Sequence, residues 1–262
     1  MTTTIALAGK GGVGKTTIAG MVIKYLAQNQ QGSILAIDAD PSSNLNMVLG
    51  LDLDWTVGDI REGMLQQVKQ SLLAGGAAMG SLPGGANKHD YLDYEIRSSL
   101  AEGSRFDLIA MGRSEGAGCY CAVNHNLRDV IDTISQSYRY VVIDNEAGME
   151  HLSRRTTRDV QILLIVTDPT QRGIVAAERI AGFRKELDIN IEHAYLILNR
   201  LSTDTMPKPL RERIDAMDIE LLGCIPQDEQ LTEFEFSGRP LIELGDESPV
   251  YQAIATMLRK VL

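Results

Sequence analysis

Short apolar runs alternate along this chain with stretches whose apolar positions recur every three or four residues, the pattern of strands interleaved with helices. Ile5 to Ala8, Ser33 to Asp38, Phe106 to Met111, Tyr140 to Asp144, Gln161 to Val166, Tyr195 to Leu198 and Leu221 to Ile225 read as strands, and Tyr91 to Ser98 as a further short one. Helical spacing covers Thr16 to Gln28, Val57 to Leu73, a segment starting near Asn124, Arg172 to Leu187, and Pro249 to Leu262. Ala74 to Asn87, broken by Gly75-Gly76, Gly80 and Pro83-Gly84-Gly85, reads as a loop. Strand and helix alternate from end to end, which predicts an α/β fold, a doubly wound and mostly parallel sheet in one domain spanning 1–262. Its ligands belong at the C-terminal edges of the strands.

The first strand runs into Gly9-Lys10-Gly11-Gly12-Val13-Gly14-Lys15-Thr16-Thr17, which satisfies G-x-x-x-x-G-K-[ST] in its required strand-to-helix setting. The glycines let successive N–H groups turn inward, and with the helix N-terminus and the Lys15 ammonium they form a cradle for a di- or triphosphate. Thr16 is placed to put its hydroxyl on Mg²⁺. Lys10 is a second lysine in the loop, either a solvated cation or a charge delivered to the γ-phosphoryl of a facing subunit in the manner of an arginine finger. With Lys10, the loop resembles the deviant Walker A loop of the dimeric ATPases that include nitrogenase iron protein, the arsenite-pump ATPase and the septum-positioning and plasmid-partition ATPases. The resemblance implies a homodimer that sandwiches two molecules of ATP or ADP.

Three other strand ends carry matching chemistry. After the second strand, Asp38 is placed to hold Mg²⁺ through water and Asp40 to orient an attacking water, although Asp40-Pro41-Ser42 also reads as a plain turn. Asp40 matches the water-activating residue of the ATPases named above. Asp144 ends its strand as a Walker B type aspartate, and Asn145 to Glu150 take the place of the second switch. Asn199-Arg200 ends another strand, where Asn199 matches the base-reading asparagine of the superclass. Pro226-Gln227-Asp228 would flank the other adenine edge.

A thiol pair is the least generic feature. Cys119 and Cys121 lie on the Gly-rich loop Gly112-Arg113-Ser114-Glu115-Gly116-Ala117-Gly118, and in an extended segment they point the same way. Two ligands do not satisfy Zn²⁺ or a similar thiophilic ion, whereas two chains supply four thiolates. A purely structural pair is the other reading. Cys224, inside an apolar strand, reads as core. The deviant loop, Asp38 to Leu45, the GRSEGAGCYC loop and Ile143 to Gly148 together resemble the CooC-type accessory ATPases that mature nickel carbon monoxide dehydrogenase. The resemblance implies ATP hydrolysis coupled to delivery of Ni²⁺ or Zn²⁺ held between subunits, with carbon monoxide dehydrogenase as client.

Composition narrows the alternatives. The 262 residues are 44% hydrophobic, carry a formal charge of −10 and include 3 cysteines. A core of adequate size follows, while the acidity and the lack of a basic cluster argue against nucleic acid as a partner. No leader and no apolar run of membrane-spanning length is evident, so a cytoplasmic protein is expected. The last helix carries only Arg259 and Lys260 as cations, too few for the membrane tail of a positioning ATPase. An iron–sulfur reductase component like nitrogenase iron protein also sets two cysteines per subunit at its axis, but far apart in sequence. The partition-type and reductase readings stay as alternatives.

Overall fold

The structure is a computed structural model, and it describes residues 2–73, 88–113, 121–148, 159–184, 190–202 and 205–262. In chain order the elements are β1 (Thr3–Gly9), α1 (Lys15–Asn29), β2 (Ile34–Asp38), α2 (Leu45–Leu49), α3 (Val57–Leu73), α4 (Lys88–Ser98), β3 (Ala101–Glu102), β4 (Phe106–Ala110), α5 (Cys121–Ser135) and β5 (Tyr140–Asp144). There follow β6 (Asp159–Thr167), α6 (Gln171–Phe183), β7 (Asn190–Leu201), α7 (Lys208–Asp215), β8 (Glu220–Pro226), α8 (Glu229–Ser237), a 3₁₀ turn (Leu241–Glu243) and α9 (Pro249–Val261).

The strands form one eight-stranded sheet in the order β3-β4-β2-β5-β1-β6-β7-β8. Every neighbouring pair is parallel except β3 with β4. Side chains alternate between faces with the pleat. On β1, Ile5 and Leu7 therefore enter the core formed with α1 and α9, while Ala6 and Ala8 enter the core formed with α3, α5 and α6. Chain direction across the sheet reverses at β1, with β5 on one side and β6 on the other, so a crevice opens beyond the C-terminal end of β1.

Two expectations need correction. Tyr91 to Ser98 is not a strand but most of helix α4: Leu92 and Ile96, four residues apart, are both fully buried, and Arg97 pairs with Asp93 one turn back at 2.9 Å. Four-residue spacing of the apolar pair, reinforced by an i,i+4 ion pair, outweighs the tyrosines that suggested a strand. Helix α5 starts at Cys121 rather than near Asn124, so the backbone is already helical at the second cysteine. Cys119 and the loop Ala74 to Asn87 lie outside the described residues.

The C-terminal helix is held by polar ties as well as apolar ones. Lys24 of α1 is 5% exposed; its ammonium donates to the Leu244 carbonyl, pairs with Asp246 at 3.0 Å and sits 4.9 Å from the centre of the Tyr251 ring. Asp228 accepts from Gln230 N and Leu231 N at 2.9 and 3.2 Å, capping α8, while its other oxygen accepts from the Ser248 hydroxyl that caps α9. One carboxylate thus joins the starts of two helices. Asp228→Ala removes a cap and strands a buried hydroxyl, so it is expected to lower the unfolding free energy by about 2 kcal/mol in urea titrations.

Candidate nucleotide site

The phosphate loop joins β1 to α1 at the switch point of the sheet, and its geometry depends on backbone that only glycine supplies. A Cβ on Gly9 would lie 2.4 Å from the Val166 carbonyl of β6, and Gly12 and Gly14 hold φ of 79° and 93°. The peptide after β5 closes on the loop from the other side, where Gly148 N donates to Gly9 O at 3.1 Å. Val13 is buried under the loop, whereas Lys10, Gly11 and Gly12 are exposed. Lys15 opens α1 with its ammonium 3.3 Å from the Lys10 carbonyl. Burial pushes its pKa down, against the pull of Asp144, Asp40 and Glu146.

Two carboxylates end adjacent strands at this edge. Asp38 and Asp144 are register partners across β2 and β5, and each is 1% exposed. Asp38 is committed to local backbone, accepting from Leu45 N at 2.9 Å and Asp40 N at 3.1 Å; burial nevertheless pushes its pKa up to about 6. Asp144 is pushed up to about 7, mainly by burial, against the hydroxyl donated by Thr16. Its Oδ1 is buried without a partner. An orphaned carboxylate oxygen beside a second buried carboxylate and a threonine hydroxyl is a donor set that suits Mg²⁺, which binds few protein oxygens and keeps its waters. Asp38, Asp144 and Thr16 would hold that ion, which when bound neutralises phosphate charge.

Asp40 is half-buried and accepts from Ser42 N at 2.9 Å and from the Ser42 hydroxyl at 2.5 Å. Both contacts fall on Oδ1 and build the turn, so the carboxylate stands at the rim with Oδ2 outside these bonds and able to accept. Asn145 donates to Leu7 O at 2.8 Å and fixes the start of the second switch to β1.

On the far side of the loop a cavity of about 500 Å³ is lined by Gly14, Thr17 and Ile18 of the loop and α1, by Asn199 and Arg200 of β7, and by Pro226 to Glu229. Asn199, Arg200, Pro226 and Asp228 are thus brought together as the sequence suggested, but with further duties. Asn199 donates to Val13 O at 2.8 Å and Arg200 to Gly12 O at 2.9 Å, while the Asp228 side chain is spent on helix capping. Sequence reasoning missed α8, whose Leu231, Thr232 and Glu235 line the same cavity, and Glu235 accepts from Thr17 at 3.4 Å. Asp228 as N-cap and Gly238 in the left-handed region as C-cap bracket that helix, a signal present in the sequence. Cys119 lies outside the described residues and only the backbone of Cys121 is within them. Among the described residues no three His, Cys, Asp or Glu side chains converge on a metal position.

A glycine-rich loop at the switch point, the Lys15 ammonium at the start of the helix behind it and two carboxylates at the neighbouring strand ends define a P-loop ATPase. The chain belongs to the CobQ/CobB/MinD/ParA nucleotide binding domain family, which it matches over residues 4–241. It is 38% identical to an ATP-binding protein of Methanocaldococcus jannaschii with no assigned function, over 98% of both chains. The carbon monoxide dehydrogenase accessory protein CooC of Rhodospirillum rubrum is 29% identical over 98% of this chain and 97% of its own. In fold it is similar to the septum site-determining protein MinD of Pyrococcus horikoshii solved with Mg-ADP, with a TM-score of 0.68 at 22% identity over 100% of this chain and 96% of that one.

A carboxylate whose folded pKa lies above its unfolded value stabilises the fold in acid and loses that contribution as pH rises through the folded value. For Asp144, at about 7, the loss begins near the unfolded value of 3.8 and is complete just above the folded one, and its larger part falls between roughly pH 5 and pH 8. In nucleotide-free protein the unfolding free energy of the wild type should fall relative to Asp144→Asn by about 2 kcal/mol over that range. Chemical denaturation at the two pH values measures it, and parallel curves would remove the burial argument.

Proposed function

We propose that this chain acts as an ATP-hydrolysing homodimer that assists nickel insertion into carbon monoxide dehydrogenase, carrying the metal between Cys119 and Cys121 of both protomers. The observation that carries the reading is the C-x-C thiol pair, Cys119 and Cys121, in the sequence of a relative of the CooC accessory protein matched over nearly its whole length. Four thiolates from two chains close a site that two cannot. Nickel is cargo here, and binding it requires the thiols to shed their protons.

In this reading the loop from Gly9 to Thr17 holds the phosphates, with Gly11, Gly12, Val13 and Gly14 offering N–H groups and Lys15 its charge. Asp40 orients the attacking water, Lys10 reaches the nucleotide of the facing protomer, and Asn199, Arg200, Pro226 and Asp228 surround the nucleoside. The work is done in the cytoplasm without nucleic acid or membrane. The structure favours that choice over a positioning ATPase, because Val250, Tyr251, Ile254, Ala255, Met257 and Leu258 turn the apolar face of α9 into the core. Among the described residues no helix is long and apolar enough to cross a membrane. The net charge of −10 disfavours DNA.

Three measurements check this. Lys15→Ala should weaken ATP binding by about 100-fold or more, whereas Asp40→Ala should bind normally and lose roughly 100-fold in turnover. Mixed Lys10→Ala and Asp40→Ala chains should recover activity, because one composite site then carries both defects and the other neither. Heterodimers as inactive as their parents would rule out action of Lys10 in trans. Titration with Ni²⁺ or Zn²⁺, followed by light scattering, should give one metal per two chains and drive dimerisation. One metal per monomer, retained in Cys119→Ser/Cys121→Ser, would contradict the shared site.

A further inference from the structure

The end of β7 touches the phosphate loop at two consecutive carbonyls. Asn199 Nδ2 donates to Val13 O at 2.8 Å, and Arg200 Nη1 donates to Gly12 O at 2.9 Å. Every described peptide bond is trans, and across a trans peptide the C=O of one residue and the N–H of the next point in opposite directions. Pinning the Gly12 and Val13 carbonyls toward β7 therefore turns the N–H groups of Val13 and Gly14 away from it. Without the pins, glycine φ values of 79° and 93° on either side leave these planes free to flip, and a flipped plane would offer a carbonyl to the phosphates.

The pins are themselves fixed. Arg200 is one of two described non-glycine residues in the left-handed region, at φ 58°, and this conformation aims its own N–H at Asn199 Oδ1 at 2.9 Å. That contact assigns the Asn199 amide: oxygen toward Arg200 N, nitrogen toward Val13 O. Gly14 makes room, since a Cβ there would lie 2.5 Å from Asn199 Nδ2. An amide has two hydrogens and its oxygen two lone pairs, so one of each remains on the cavity side, a pairing that matches N7 and the exocyclic amine of adenine.

We propose that Asn199 and Arg200 are positioning residues that set two peptide planes of the phosphate loop, and that Asn199 thereby couples base recognition to phosphate binding. This rests on the nucleotide-site reading above. A base held by the amide fixes the amide, the amide fixes the Val13 peptide, and the Gly14 N–H is presented to the phosphates.

Inorganic pyrophosphate separates the possibilities because it has no base. Its affinity and that of ADP are measured by calorimetry on the full chain, wild type, Asn199→Ala and Arg200→Met, each at two salt concentrations. Asn199→Ala removes no charge, yet it should weaken pyrophosphate by about 5-fold and ADP by more. Arg200→Met, a change at an exposed side chain, should weaken both ligands by a similar factor of about 5 without altering their salt dependence. Unchanged pyrophosphate affinity in Asn199→Ala would reduce that residue to base reading and overturn the coupling. A flattened salt dependence in Arg200→Met would make the guanidinium a direct phosphate ligand and overturn its positioning role. Wild-type protein that binds neither ligand would defeat the nucleotide-site reading itself, an outcome distinct from both.

Discussion

Two carboxylates buried side by side at the ends of β2 and β5, with the Lys15 ammonium drawing on Asp144 and Asp40, set the terms for the whole site. Isolated charges in such a place are costly, and the chain relieves the cost in different ways for each. Asp38 is held by the peptide N–H groups of Asp40 and Leu45, so its charge is spread over local backbone. Asp144 receives only the Thr16 hydroxyl and keeps an oxygen with no partner, so its charge awaits a cation. The carboxylate edge is therefore electrostatically incomplete in a defined direction, which a divalent cation brought with phosphate would complete.

The same constraint explains why so much of the fold converges on one short loop. Acidic strand ends repel a polyphosphate unless backbone dipoles and lysines outweigh them, which makes loop geometry decisive. Three neighbours hold it: β6 through the close approach at Gly9, the second switch through Gly148, and β7 through Asn199 and Arg200. Beyond β7 the Asp228 carboxylate ties the wall of the cavity to α9, and Lys24 ties α9 back to α1. The phosphate loop and the cavity beside it thus share one continuous scaffold, in which the last helix packs by its buried face.

Much of this was legible in the sequence because the signals are local. The alternation of apolar runs and helical spacing specified the parallel sheet, and the loop motif with its flanking strand and helix located the phosphate site. Asp38, Asp144 and Pro226 stood out because each ends a strand at the ligand edge, and Asn199 because it lies two residues short of such an end. Helix α4 was misread because aromatic residues weigh toward strand until the pairing of Leu92 with Ile96 is noticed. The short helix α8 was missed because its evidence is a cap at each end rather than a periodic face. The peptide-setting contacts of Asn199 and Arg200 join residues 186 and 188 positions apart, and no local pattern reports them. The thiol pair is visible only as a sequence feature, which is why its role is proposed.

The central claim is that burial leaves the Asp144 charge uncompensated, so that its carboxylate favours a proton until a cation takes that place. It is tested most directly by calorimetry of Mg-ATP binding near pH 6.5 (about half a unit below the Asp144 value), in buffers that differ in ionisation enthalpy. Wild-type protein should release a substantial fraction of a proton on binding, and Asp144→Asn should release markedly less. Equal proton exchange in the two proteins would contradict the account.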